Sequence, residues 1–137
     1  DGIERRDVGS VINLILISHG SLAAGMREAA EMILGEQEQL EVLGVFPGDT
    51  MESVSEKLEK AIARFGDPDS TLILSDLLCG TPSNAAMVMG LKHRVHTVAG
   101  CNLPMLVEVL SMRAEAGMQE LIETACAAAR SGIVSGE

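Results

Sequence analysis

Aromatic residues are almost missing from this chain: it has no tryptophan, no tyrosine and only two phenylalanines. A core therefore has to be filled by leucine, isoleucine, valine, alanine and methionine. With 47% hydrophobic residues among 137, there is enough apolar material for one domain with a sizeable core. Cysteine is sparse and scattered. Cys79, Cys101 and Cys126 form no C-x-x-C pair, which argues against a structural zinc site and fits reduced thiols in a cytoplasmic protein. Ten basic residues face twenty acidic ones, a net charge of −10. That balance disfavours nucleic acid, whose phosphates need Lys and Arg, and permits a basic protein partner. No apolar run approaches the roughly 20 residues that span a bilayer, and no signal peptide is visible. A G-x-S-x-G elbow, a P-loop and a glycine-rich dinucleotide fingerprint are also missing, which disfavours a serine hydrolase and a plain nucleotide-binding domain.

What is present is an alternation of strand and helix patterns. Residues 1–10 are polar and read as a flexible lead-in; residues 11–137 read as a single domain. Apolar, β-branched runs at 11–18, 40–46, 71–75 and 95–99 read as strands. Helical spacing follows at 22–35, 51–65, 81–92, 104–113 and 117–130. Thr50 is placed to cap the second helix, and Thr81-Pro82 to open the third with Thr81 as N-cap. The expected fold is α/β: an open sheet of four parallel strands with helices on both faces. The apolar pair Ile133-Val134 in the tail offers a short antiparallel edge strand or a docking contact.

Three strand ends carry unusual residues: Ser18-His19-Gly20-Ser21, then Asp76 to Asn84, then Gly100 to Met105. In an open parallel sheet these ends share one edge, the edge where ligands bind. His19 can serve there as base, nucleophile or ligand. Asp76, from a neighbouring strand end, can bond one ring nitrogen, fix the tautomer and leave the other lone pair free. That suits a histidine that receives a phosphoryl group. Backbone N–H groups near Gly20-Ser21 and Thr81-Ser83, with the Thr81 and Ser83 hydroxyls, can hold the anionic oxygens. Each residue also has a plain structural role open to it: a satisfied strand-end histidine, a capping Asp76, an ordinary helix start at Thr81-Pro82. His93 and His96 stand three apart with no third ligand nearby, so neither a metal nor an organic cofactor is expected. Met87, Met89, Met105, Met112 and Met118 read as core filling, and Glu28, Glu31, Glu36 and Glu38 as a solvated face.

Taken together, the loops resemble the IIA domain of the mannose-class bacterial sugar phosphotransferase system, over residues 11 to about 130. The segments that carry the resemblance are Ile17-Ser18-His19-Gly20, Asp76 to Ala86, and Ala99 to Glu108, supported by Ala30 to Glu38 and Phe46-Pro47-Gly48-Asp49. The resemblance implies that His19 accepts a phosphoryl group from the phosphocarrier HPr and passes it to a IIB domain, which phosphorylates sugar during uptake through membrane IIC and IID components. It implies that Asp76 bonds the histidine ring and that Thr81 helps hold the phosphoryl group. It further implies a cytoplasmic homodimer in which a C-terminal strand, here Ser131 to Ser135, is exchanged. Cys79 stands where glycine is usual, and Leu77 where some members have threonine. Two related settings share the domain: a regulatory domain of sugar-operon transcriptional activators, and the phosphodonor domain of dihydroxyacetone kinases. Thr81-Pro82-Ser83-Asn84 argues against the kinase domain, which carries a Gly-Ser-Ala loop there.

Overall fold

The computed structural model describes residues 11–137, so the expected lead-in at 1–10 lies outside the described residues. Four strands, Asn13–His19 (β1), Leu40–Val45 (β2), Thr71–Ser75 (β3) and His96–Ala99 (β4), form one parallel sheet in the order β2-β1-β3-β4. Five helices connect and flank them: Leu22–Leu34 (α1), Met51–Phe65 (α2), Thr81–Lys92 (α3), Leu103–Met112 (α4) and Met118–Ser131 (α5).

Strand periodicity divides the core. Leu14, Leu16, Leu72, Leu74 and Val98 point to one face, where they meet Ala23 and Ala30 of α1, Leu106 and Val109 of α4, and Leu121 and Ala125 of α5. Ile15, Ile17 and Ile73 point to the other, against Val54, Leu58 and Ala61 of α2 and Ala85, Ala86 and Met89 of α3. The alternation follows from the two-residue repeat of a strand, and burial on both faces explains why β1 reads as a continuous apolar run. The first crossover runs from β1 to one side and the next two run to the other. Right-handed connections then put α1 and α2 on opposite faces.

The reversal of direction between β1 and β3 creates a switch point at the C-terminal ends of those two adjacent strands. His19 ends β1 and Asp76 follows β3 directly, so the topology alone brings them to one crevice.

Several boundaries differ from the sequence expectation. The first strand starts at Asn13 rather than Val11, and β4 at His96 rather than Val95. Gly80, not Thr81, is the N-cap of α3: it holds the extended backbone, and its carbonyl accepts the Asn84 N–H. Thr81 is therefore the first helical residue and Pro82 the second. A 3-10 turn at Pro68–Ser70 occupies the segment whose sequence reads only as a helix break. Met89 and Met105 are buried, Met112 and Met118 pack at the core's margin, but Met87 is half exposed on α3 and fills no core space. Thr50 caps α2 as expected, in a reciprocal box with Ser53. Residues 133–137 form no strand within the chain. Among the described residues no helix is long and apolar enough to cross a membrane.

Candidate active site at the switch point

Oδ2 of Asp76 accepts two hydrogen bonds from His19, from the main-chain N–H at 3.0 Å and from ring Nδ1 at 3.0 Å. A carboxylate only accepts, so the pairing requires a ring proton on Nδ1, and in the neutral ring the Nε2 lone pair is then free. The two partners differ in exposure: the His19 side chain is 52% exposed and that of Asp76 10%. The imidazole thus leans outward on a carboxylate set behind it. Oδ1 of Asp76 is buried without a hydrogen-bond partner among the described residues. Burial, helped by the Asp76 charge, pushes the Cys101 thiol up to about 12, so this neighbour stays neutral at physiological pH. Its N–H donates to the Ser75 carbonyl, tying the end of β4 to the strand that carries Asp76.

The turn after His19 is fixed from beneath. The buried Ser18 hydroxyl accepts the Ala23 N–H at 2.7 Å and donates to the His19 carbonyl at 3.0 Å. Ser18 therefore performs the capping that Ser21 does not, since Ser21 makes no side-chain cap bond. The Gly20 N–H, expected as an anion donor, is already engaged by the Val45 carbonyl at 2.7 Å. What remains for an anion at this helix start is the Ser21 hydroxyl and the N–H groups ahead of Ala23. β2 supports the turn from the side. A Cβ at Gly44 would strike the Gly20 carbonyl and the Phe46 ring, so the bare glycine allows the two loops to touch. The Phe46–Thr50 turn is itself held by Asp49. Its carboxyl accepts from the Phe46 N–H, the Ser53 hydroxyl and the Lys57 ammonium, which together hold it below the ordinary carboxylate value.

On the other side stands the start of α3. Thr81 is half-buried on the first turn, with its hydroxyl unengaged by any side chain among the described residues. Ser83 is buried, and its hydroxyl donates to the Gly80 carbonyl at 3.2 Å. Of the six residues singled out from the sequence, His19 and Asp76 touch. Gly20 and Ser21 follow His19 on its own turn, while Thr81 and Ser83 open the helix whose cap, Gly80, packs against the His19 ring. Sequence reasoning assigns no role to Ser18 or Gly80, which lie inside the quoted motifs, and does not single out Gly44. For Ser18 and Gly80 the available signal was adjacency to a motif residue; for Gly44, in the middle of an apolar strand, the signal was the strand glycine itself. His93 makes a close pair with Glu59 of α2 and is no ligand, and no group of three or more His, Cys, Asp or Glu suited to a metal occurs among the described residues.

The chain is similar to known proteins of one family. The family model described as "PTS system fructose IIA component" matches residues 13–126. The "PTS system fructose-specific EIIA component" of Bacillus subtilis (strain 168) is 33% identical over 113 residues, covering 82% of this chain and 77% of the relative. The "PTS system sorbose-specific EIIA component" of Lacticaseibacillus casei is 39% identical over 99 residues, 72% of this chain and 71% of the relative. A solved structure of a mannose/sorbose specific IIA subunit from Enterococcus faecalis superposes with a TM-score of 0.84 at 29% identity, covering 93% of this chain and 96% of that one.

Proposed function

Because the chain belongs to the fructose, mannose and sorbose IIA family of the sugar phosphotransferase system, we propose that it is a phosphoryl carrier working through a phosphohistidine at His19. The observation that carries this reading is the bond from His19 Nδ1 to Asp76. It leaves Nε2 as the nucleophile. In the accepting step the Nε2 lone pair forms a bond to phosphorus while the donor's bond to phosphorus breaks and its electron pair stays with the donor. The Nδ1 proton does not move. The ring gains positive character as the new bond forms, and the carboxylate behind it stabilises that charge. The step reverses when the group is handed on.

Positioning and electrostatics supply most of phosphoryl-transfer catalysis, and the surroundings of His19 suit that demand. Ser21 follows His19 on its own turn and Thr81 follows Gly80, which packs against the ring; their hydroxyls, with the N-terminal N–H groups of α1 and α3, are the groups we assign to hold phosphoryl oxygens. Gly20 shapes the turn, and Ser83 braces the Gly80 carbonyl. Exposed Leu22, Phe46, Met51, Leu77 and Leu78 lie on the loops and helix starts at this sheet edge. They suit docking of the donor HPr and of a IIB acceptor that serves membrane IIC and IID components. The setting is cytoplasmic.

A homodimer with an exchanged C-terminal strand is supported by a difference between the two sheet edges. On β2, Arg27 donates to the Leu40 carbonyl and Lys57 to the Gly44 carbonyl, both on the outer side of the strand. Such closure blocks strand addition. Among the described residues no side chain closes β4 in this way, and Ile133 and Val134 beyond α5 are 78% and 82% exposed. An antiparallel strand from a second copy fits that open edge.

The reading is tested by incubating the chain with phosphoenolpyruvate, enzyme I and HPr and measuring intact mass. Wild type gains one acid-labile phosphoryl group and His19→Ala gains none. Undiminished acid-labile phosphate on the variant overturns the assignment.

A further inference from the structure

Gly80 carries a constraint that its backbone does not explain. Its φ of −101° and ψ of 170° suit any residue. Yet a Cβ built on it would lie 2.7 Å from Cε1 and 3.1 Å from Nε2 of His19. The α-carbon therefore lies close against the Cε1 and Nε2 atoms of the ring, beside the Nδ1 that Asp76 holds. Two hydrogen bonds and the turn before it put it there. The Ser83 hydroxyl and the Asn84 N–H both donate to the Gly80 carbonyl. On the other side, Cys79 turns the chain through a left-handed φ of 70°.

We propose that Gly80 is a positioning residue for phosphoryl transfer: its bare α-carbon backs the Cε1–Nε2 edge of His19, holds the ring on Asp76, and keeps clear the space that oxygens of an Nε2-bound phosphoryl group enter. The inference rests on the phosphohistidine reading and adds to it the element that clears the reacting atom. A methyl group at this place has two effects. It displaces the imidazole from its present seat and so disturbs the Nδ1 bond to Asp76. It also overlaps the shell around Nε2 where phosphoryl oxygens lie. Because the imidazole is a half-exposed side chain that can swing away, the fold tolerates the change while the geometry of transfer does not.

The test is Gly80→Ala in the full chain, read in three ways. Stopped-flow transfer from phospho-HPr gives kcat and KM separately, and kcat falls about a hundredfold, the size expected for an ångström-scale misplacement, with KM for phospho-HPr little changed. Long-range 1H–15N spectra of the unphosphorylated variant show His19 shifted from the pure Nδ1–H tautomer toward a mixture, because the Asp76 bond is weakened. Thermal unfolding stays within about 4 °C of wild type. Wild-type kcat together with an unchanged tautomer overturns the proposal. Should Gly80→Ala fail to fold, the wild-type protein decides: a strong nuclear Overhauser effect between Gly80 Hα and His19 Hε1 is required, and its absence contradicts the proposal. If wild type itself takes no phosphoryl group, the phosphohistidine reading fails, and the tautomer and Overhauser measurements still judge the contact between Gly80 and the ring.

Discussion

Asp76 holds His19 by two different atoms with one oxygen: Oδ2 accepts from the main-chain N–H and from ring Nδ1, each at 3.0 Å. The same carboxylate thus fixes where the β1 strand ends and how its terminal ring is turned. Asp76→Asn keeps the shape and loses the negative charge. Transfer from phospho-HPr slows by about a hundredfold or more, as expected for removing a charge-stabilising partner from a preorganised site. Quenched-flow measurement of phosphoryl acceptance checks this, and a wild-type rate removes Asp76 from the mechanism.

Cys79 occupies the left-handed region at φ 70° with its side chain exposed. A residue with a Cβ is strained there, and glycine is not. Cys79→Gly stabilises the fold by about 1 kcal/mol and raises Tm by roughly 3–5 °C in a thermal melt. A lowered Tm contradicts the assignment of strain to this turn.

Asp49 contributes to the acid side of the stability profile. Its carboxyl is held low by the Phe46 N–H, Ser53 and Lys57, so its folded value lies beneath its unfolded one. The stabilisation is complete above the ordinary value of 3.8 and is lost as pH falls through the lower folded value. Urea midpoints measured down through the carboxylate range fall less steeply for Asp49→Asn than for wild type. Identical pH slopes contradict the coupling.

The C-terminal tail tests the dimer. Deleting residues 132–137 removes Ile133 and Val134, the only exposed large hydrophobics beyond α5. Sedimentation velocity then reports a dimer for the full chain and a monomer for the deletion, with His19 still phosphorylatable in both. A deletion that remains dimeric rules out exchange of this strand.

The alternation of short β-branched runs and helical spacing is enough to read the sheet, because the central strands β1 and β3 bury both faces and most helices bury one stripe. His19 and Asp76 were legible as a pair for a topological reason: both end strands that pass on either side of the switch point. The start of α3 was misread by one residue because Thr81-Pro82 has the composition of a cap. The carbonyl that actually caps belongs to Gly80, whose backbone carries no side-chain signal. The donor role expected of Gly20 failed because a tertiary partner, the Val45 carbonyl, is 25 residues away and pattern alone does not pair them. Met87 was assigned to the core on residue type, whereas its helical position turns it to solvent. Gly80's function was hidden for the same reason as its capping: what matters is the atom it lacks, seen only once the His19 ring is in place.

The proposed seat of the phosphoryl group is Nε2 of His19, with Nδ1 protonated against Asp76. Histidine labelled with 15N, phosphorylated through enzyme I and HPr and observed by long-range 1H–15N and 31P spectroscopy, reports it directly. Phosphorus coupling is expected at Nε2 of His19, with Nδ1 still carrying its proton. Coupling at Nδ1, or at His93 or His96 instead, contradicts it.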